Sequence, residues 1–126
     1  TAPGKFATLF VGVADRRAGT LTYVNAGHSP PLLRRADGRV DQLPPTGMAI
    51  ALTSRATYAA ARVDFRPGDT LLIYTDGVTE AMNADGDLFG DDRLATLLSA
   101  TDIEHAEALR DLVLAEVAAF ASAAAR

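Results

Sequence analysis

The chain has 126 residues, 48% apolar and 22% charged, with a formal net charge of −4 and no cysteine. That length suits one domain with a buried core, and the composition is that of a globular chain, with low complexity only in its alanine-rich C-terminus. Without cysteine there are no disulfides, thiolate metal sites or cysteine nucleophiles; the scattered arginines (Arg16-Arg17, Arg34-Arg35) make no basic stripe for nucleic acid; and the apolar runs are too short for a membrane span or signal peptide, so a cytoplasmic location is expected.

In chain order, Phe6 to Val13 is apolar on both faces and rich in strand formers, which predicts a strand buried on two sides. A polar turn from Asp15 to Gly19 leads to a second strand, Thr20 to Asn25, and the short loop predicts an antiparallel hairpin. The segment Ala26-Gly27-His28-Ser29-Pro30-Pro31 breaks it. Leu32 to Arg35 and Arg39 to Leu43 flank Asp37-Gly38, a hairpin turn in which both positions tolerate positive φ. After a loop from Pro44 to Ser54, Thr57 to Phe65 reads as a further strand. Arg66-Pro67-Gly68-Asp69 places proline at the second and glycine at the third turn position, reversing the chain into a strand Thr70 to Thr75 whose Leu71 to Tyr74 portion is expected to be central.

Beyond Asp76, Val78 to Asn83 suits a short helical turn and Asp85-Gly86 another reversal. Asp91 or Asp92 is the expected cap of a helix from Arg93 to about Ser99. Thr101 or Asp102 then caps a last helix, on which Ala106, Leu109, Leu112, Val113, Glu116, Val117 and Phe120 follow helical spacing and are expected to pack on a sheet. Antiparallel strands followed by helices define an α+β fold, taken as one domain over residues 1–126. The chain opens on Thr1-Ala2-Pro3-Gly4 without methionine and closes on a helical run with no stop signal, as a piece of a longer protein would.

A glycine-rich phosphate loop with lysine and serine-hydrolase signatures are both missing, and His28 and His105 are too isolated to suggest zinc. His105 reads as a solvated side chain. The carboxylates Asp69, Asp76, Glu80, Asp85, Asp87, Asp91 and Asp92 are the chemistry-bearing cluster, since a hard divalent cation takes oxygen ligands. Asp69 is explained by the Pro-Gly turn and Asp91 and Asp92 by capping. Asp76 has no duty beyond ending an apolar strand, and Gly77 after it lets the backbone turn and leaves room for a hydrated ion. A plain Asp-Gly turn is the alternative on the local residues alone.

Four stretches carry a resemblance: Phe6-Ala7-Thr8-Leu9; Tyr23-Val24-Asn25-Ala26-Gly27-His28-Ser29-Pro30-Pro31; Pro67-Gly68-Asp69 through Tyr74-Thr75-Asp76-Gly77-Val78-Thr79-Glu80-Ala81; and Phe89-Gly90 with Arg93-Leu94. In order and spacing they resemble bacterial SpoIIE-type serine/threonine phosphatases, within the metal-dependent type-2C (PPM) class. The resemblance implies an antiparallel β-sandwich flanked by helices and two Mn2+ or Mg2+ ions. It also implies hydrolysis of phosphoserine or phosphothreonine on a regulatory protein, commonly an anti-sigma-factor antagonist.

On this mapping Asp76 is a metal ligand and Gly77 clears space beside it. His28 fixes its loop by hydrogen bonding or, alternatively, contacts phosphate, and Glu80 is a solvated helix residue or touches the ion through water. The family's upstream Asp-x-x-Gly-His-Gly segment and terminal Asp-Asp-x-Thr strand have no counterpart here, and Ala51 stands where glycine is usual. The expectation is therefore an incomplete phosphatase domain, weakly active or inactive alone, with exposed sheet edges open to self-association. A non-catalytic, phosphatase-like protein-binding module in sigma-factor regulation is the alternative.

Overall fold

The computed structural model describes residues 6–46, 50–51, 59–103 and 105–122. The glycine-to-alanine departure sits in strand β6 (Ile50–Ala51), and most of its loop, with Thr57 and Tyr58 of the expected strand, lies outside the described residues. The chain divides into two compact units, one holding the described residues up to Ala36 with Asp41–Ile73, the other Asp37–Val40 with the described residues from Tyr74 onward.

The first unit is made of antiparallel strands. The hairpin predicted from the Asp15–Gly19 turn forms: β2 (Leu9–Asp15) pairs with β3 (Thr20–Ala26), from Leu9 opposite Ala26 to Asp15 opposite Thr20. Asp15 closes the turn, its carboxylate accepting the Arg17 and Ala18 amides at 3.0 and 3.1 Å. The other edge of β3 pairs with β7 (Ala61–Asp64), giving the order β2-β3-β7. A second sheet runs β5-β4-β8, from β5 (Val40–Gln42), β4 (Leu32–Arg34) and β8 (Thr70–Leu72), and β1 (Phe6–Ala7) pairs with β6.

Side-chain alternation decides where the core lies. Leu21 and Tyr23 of β3, Leu33 of β4, and Leu43 form a buried cluster flanked by Phe10, Ala61, Val63, Phe65 and Leu71, so the two three-stranded sheets meet across it. Phe10 stacks on Tyr23 with ring centroids 5.5 Å apart, and the Tyr23 hydroxyl donates to the Pro44 carbonyl at 3.4 Å. Burial therefore does not strand a polar group there.

Several expectations change. Phe6 to Val13 is not one strand buried on both sides: it divides into β1 and β2, and Leu9, Val11 and Val13 on the outer face of β2 are 46%, 48% and 67% exposed. Among the described residues β2 is an edge strand with only its Phe10 face turned to the core. Among the described residues β8 also lies at an edge, beside β4, and it ends at Leu72, not Thr75. In the Asp37-Gly38 turn only Gly38 takes positive φ, at 94°, while the Asp37 carboxylate accepts the Arg39 amide.

The Arg66-to-Asp69 reversal forms as predicted, with the Asp69 amide donating to the Arg66 carbonyl at 3.0 Å and Gly68 at φ +89°. A Cβ on Gly68 would lie 2.9 Å from the Ala36 Cβ. Gly68→Ala combines left-handed strain with this clash, and a loss of about 2 kcal/mol is expected in urea unfolding.

The second unit carries α1 (Asp76–Thr79), α2 (Gly90–Ala100) and α3 (Ala106–Ala121). Two capping expectations fail. Helix α2 begins at Gly90 with Phe89 in the cap position and no side-chain cap, so Asp91 and Asp92 fall inside its first turn. Helix α3 is capped by neither Thr101 nor Asp102 but by His105, whose Nδ1 accepts the Ala108 amide at 3.2 Å and lies 3.2 Å from Glu107. Leu109 and Val113 are the buried positions of α3, Leu112, Val117 and Phe120 are half-buried, and Ala106 and Glu116 are exposed. Phe120 meets Phe89 edge-on at 5.5 Å, with the Arg93 guanidinium 4.3 Å above its ring. Among the described residues no helix is long and apolar enough to cross a membrane.

Candidate functional site

Asp76 does not end a strand. After β8 the chain runs through Ile73, Tyr74 and Thr75, the last fully extended, and Asp76 is the first residue of α1. The corner is built by backbone bonds: the Val78 amide donates to the Thr75 carbonyl at 3.0 Å and the Glu80 amide to the Asp76 carbonyl at 2.8 Å. The expected turn at Val78 to Asn83 is thus displaced to Asp76–Thr79, because the extended Thr75 allows the helix to start at once.

Gly77 departs from its predicted duty. It sits within α1, outside the set of positive-φ glycines, and a Cβ there would meet only the Thr75 Oγ1, at 3.6 Å. The backbone therefore does not need glycine at this position, although glycine costs a helix about 1 kcal/mol relative to alanine. An added Cβ would make only an ordinary van der Waals contact there.

Beneath the corner lies Tyr74, 5% exposed, its hydroxyl donating to the Asp91 Oδ1 at 3.3 Å. Burial pushes its ionisation up to about 12, and the charges of Asp91 and Asp76 push the same way, so the phenol keeps its proton and remains a donor. The segment between α1 and α2 is tied back on itself. Asn83 Oδ1 accepts the Asp85 and Asp87 amides, Met82 bridges to Leu88, and the Phe89 amide donates to the Ala81 carbonyl at 2.8 Å. Asp85 and Asp87 are accordingly turn residues. Glu80 is the exposed C-cap of α1.

His28 belongs to the first unit, in the loop after β3. Asn25, fully buried, accepts the His28 amide on its Oδ1 at 2.8 Å, and its backbone exchanges hydrogen bonds with Thr46. The His28 Nδ1 lies 3.0 Å from the Ser29 carbonyl, an acceptor, so this nitrogen carries the proton. These bonds tie His28 into its own loop. Asp69 is more than a turn residue: its side chain is 5% exposed and accepts from the Arg66 and Ala36 amides and from Arg35, each at 3.0 Å. Sequence reasoning missed both the Tyr74–Asp91 and the Arg35–Asp69 pairs, whose members lie too far apart in the chain for any local pattern to join them.

Among the described residues no three His, Asp or Glu side chains gather to hold a metal ion. A divalent cation of the Mg2+ type needs about six oxygens. Asp76, an exposed hard oxygen donor at the start of α1, fits as one ligand of such an ion, but the described residues do not make a metal centre by themselves.

Mixed α+β architecture with antiparallel sheets is shared with type-2C phosphatase domains. The SiaA-PP2C domain of Pseudomonas aeruginosa superposes with a TM-score of 0.76 at 23% identity, over 90% of this chain and 44% of that one. The Mn-presoaked phosphatase domain of SpoIIE from Bacillus subtilis gives 0.66 at 18%, over 88% and 48%. A Mycobacterium tuberculosis structure of RsbU and RsbW domains gives 0.63 at 29%, over 93% and 32%. The fold is thus that of a type-2C phosphatase domain, matched over part of its length.

The model of the stage II sporulation protein E (SpoIIE) family matches residues 1–126, and the chain belongs to that family. It is also 38% identical over 112 residues to protein IcfG of Synechocystis sp., covering 89% of this chain and 18% of IcfG. The chain therefore spans about a fifth of that relative and less than half of each of these structures.

Proposed function

We propose that this chain is part of a metal-dependent phosphatase that hydrolyses phosphoserine or phosphothreonine on a regulatory protein of the anti-sigma-factor-antagonist class, with Asp76 one ligand of a two-metal centre. Family membership and the type-2C fold support the phosphatase class. The observation that carries the site is Gly77, a glycine that neither the helix nor its neighbours require, beside a carboxylate on a braced corner. A glycine beside that carboxylate is what close approach of an ion or phosphate from outside the chain would use.

In this reading Mn2+ or Mg2+ supplies positive charge against the phosphate oxygens and activates the attacking water. The chain's own residues hold the Asp76 carboxylate in place, leave the space at Gly77 clear, and keep the His28 loop rigid through Asn25. Binding without catalysis is the second reading, favoured by the lack of any three-ligand cluster among the described residues.

Hydrolysis of a phosphoserine protein is to be measured with Mn2+, on the chain alone and within a complete SpoIIE-family domain. Alone, little or no turnover is expected. In the complete domain Asp76→Asn is expected to lower activity by on the order of a hundredfold. Gly77→Ala should do likewise while leaving thermal stability equal or slightly raised. Full activity in both variants would show that Asp76 is not a ligand of the centre, no turnover even by the unsubstituted complete domain would favour the binding module, and robust Asp76-dependent turnover by the chain alone would show that it supplies more ligands than Asp76.

A further inference from the structure

We propose that Tyr74 is a positioning residue for Asp76, its hydrogen bond to Asp91 latching the Thr75–Gly77 corner onto the first turn of α2. This rests on the reading of Asp76 as a functional carboxylate. The helix that carries Asp76 is one turn long and buries no residue of its own. An isolated turn of that length is unstable, because nucleation fixes several residues for few hydrogen bonds. Its order must come from what flanks it.

Downstream, the backbone bond from the Phe89 amide to the Ala81 carbonyl secures the far end, together with the Asn83 turn. Upstream, Ile73 is half exposed and Thr75 and Asp76 are exposed, so Tyr74 alone in this stretch is buried. Its ring anchors the segment, and its hydroxyl reaches Asp91 at 3.3 Å, on a helix whose Leu94 and Leu98 are fully buried. At 3.3 Å this bond is longer than a short charge-assisted pair, so it adds direction to the ring's anchoring more than strength. Phenylalanine would keep the anchor and lose the direction.

Amide hydrogen exchange of the full chain tests this at Val78 and Glu80, whose bonds to Thr75 and Asp76 define the corner, with Leu98 in α2 as internal control. Tyr74→Phe and Asp91→Ala are each expected to speed exchange at Val78 and Glu80 by on the order of tenfold, leaving Leu98 unchanged. The double variant should match the singles, since both remove one bond, and Asp91→Asn, which retains an acceptor, should restore most of the protection. Wild-type exchange in Tyr74→Phe, or additive effects in the double variant, would overturn the proposal. Failure of the functional reading would appear elsewhere, as unchanged phosphatase activity in Asp76→Asn with the exchange pattern intact.

Discussion

Replacing Arg35 with alanine is expected to lower the unfolding free energy by about 3 kcal/mol, measured as a fall in the urea midpoint at neutral pH. Arg35 directly follows β4, and its guanidinium reaches three places at once. Nε donates to Asp41 on β5 at 3.1 Å, and Nη1 donates to the Asp64 carbonyl on β7 at 2.6 Å and to Asp69, ahead of β8, at 3.0 Å. Its side chain is 18% exposed and that of Asp69 5%, so removing the cation leaves a carboxylate out of water with two backbone amides as its remaining donors. The arm to Asp41, whose side chain is 38% exposed, contributes less. Arg35→Lys is expected to recover only part of the loss, because one ammonium cannot reproduce the planar fork. Arg66, paired with Asp64 at 3.8 Å with both side chains exposed, gives the contrast: its alanine variant should lose well under about 1 kcal/mol.

The same cluster sets an acid limit. Burial by itself would raise the Asp69 ionisation, but the Arg66 amide, the Arg35 side chain and the Ala36 amide outweigh it and hold the carboxyl below its ordinary value. A carboxyl depressed in the folded state stabilises fully above its unfolded value of about 3.9, and that contribution fades as pH falls through the folded value. The stability gap between the wild-type chain and Asp69→Asn should therefore be constant from pH 7 to about 5 and shrink below about 4. A gap that stayed constant into that acid range would show that Asp69 is not the group being titrated.

Features visible in the sequence were those that local chemistry dictates. Pro67-Gly68 preset its turn, a polar loop between two apolar runs made the β2-β3 hairpin, and helical spacing found α3 with Leu109 and Val113 on its inner face. The errors came where a distant partner decided the outcome. Asp69 looked sufficient as a turn residue because Arg35 is 34 positions away, and Asp91 looked like a cap because Tyr74 is 17 positions away. Strand β8 read as long because Ile73 and Tyr74 continue its apolar run, yet pairing with β4 stops at Leu72. For the site, residue identity singled out Asp76 and Gly77, while the helical start at Asp76, which makes a backbone turn at Gly77 unnecessary, was not legible because β8 reads in sequence as running on to Thr75.

Leu33→Ala is the second large expected loss, about 3–4 kcal/mol in urea unfolding. Leu33 is fully buried on β4, opposite Leu71 of β8 and in the cluster with Leu21, Tyr23 and Leu43. Alanine removes the transfer energy of the lost carbons and leaves a void that two sheets held in register cannot close, whereas Leu33→Met keeps the volume and should lose less than about 1.5 kcal/mol. Val13→Ala is the informative control. At 67% exposed on the outer face of edge strand β2, Val13 should lose only a few tenths of a kcal/mol in a chain that stays monomeric. Among the described residues nothing pairs with the other edge of β2, and Leu9–Asp15 carries neither proline nor lysine to discourage pairing, so self-association is tested at the same time. A Val13→Ala loss that grows with protein concentration, alongside a dimer in light scattering, would mean that this face is covered by self-association; a small, concentration-independent loss would confine the stabilising core to the Leu33 side.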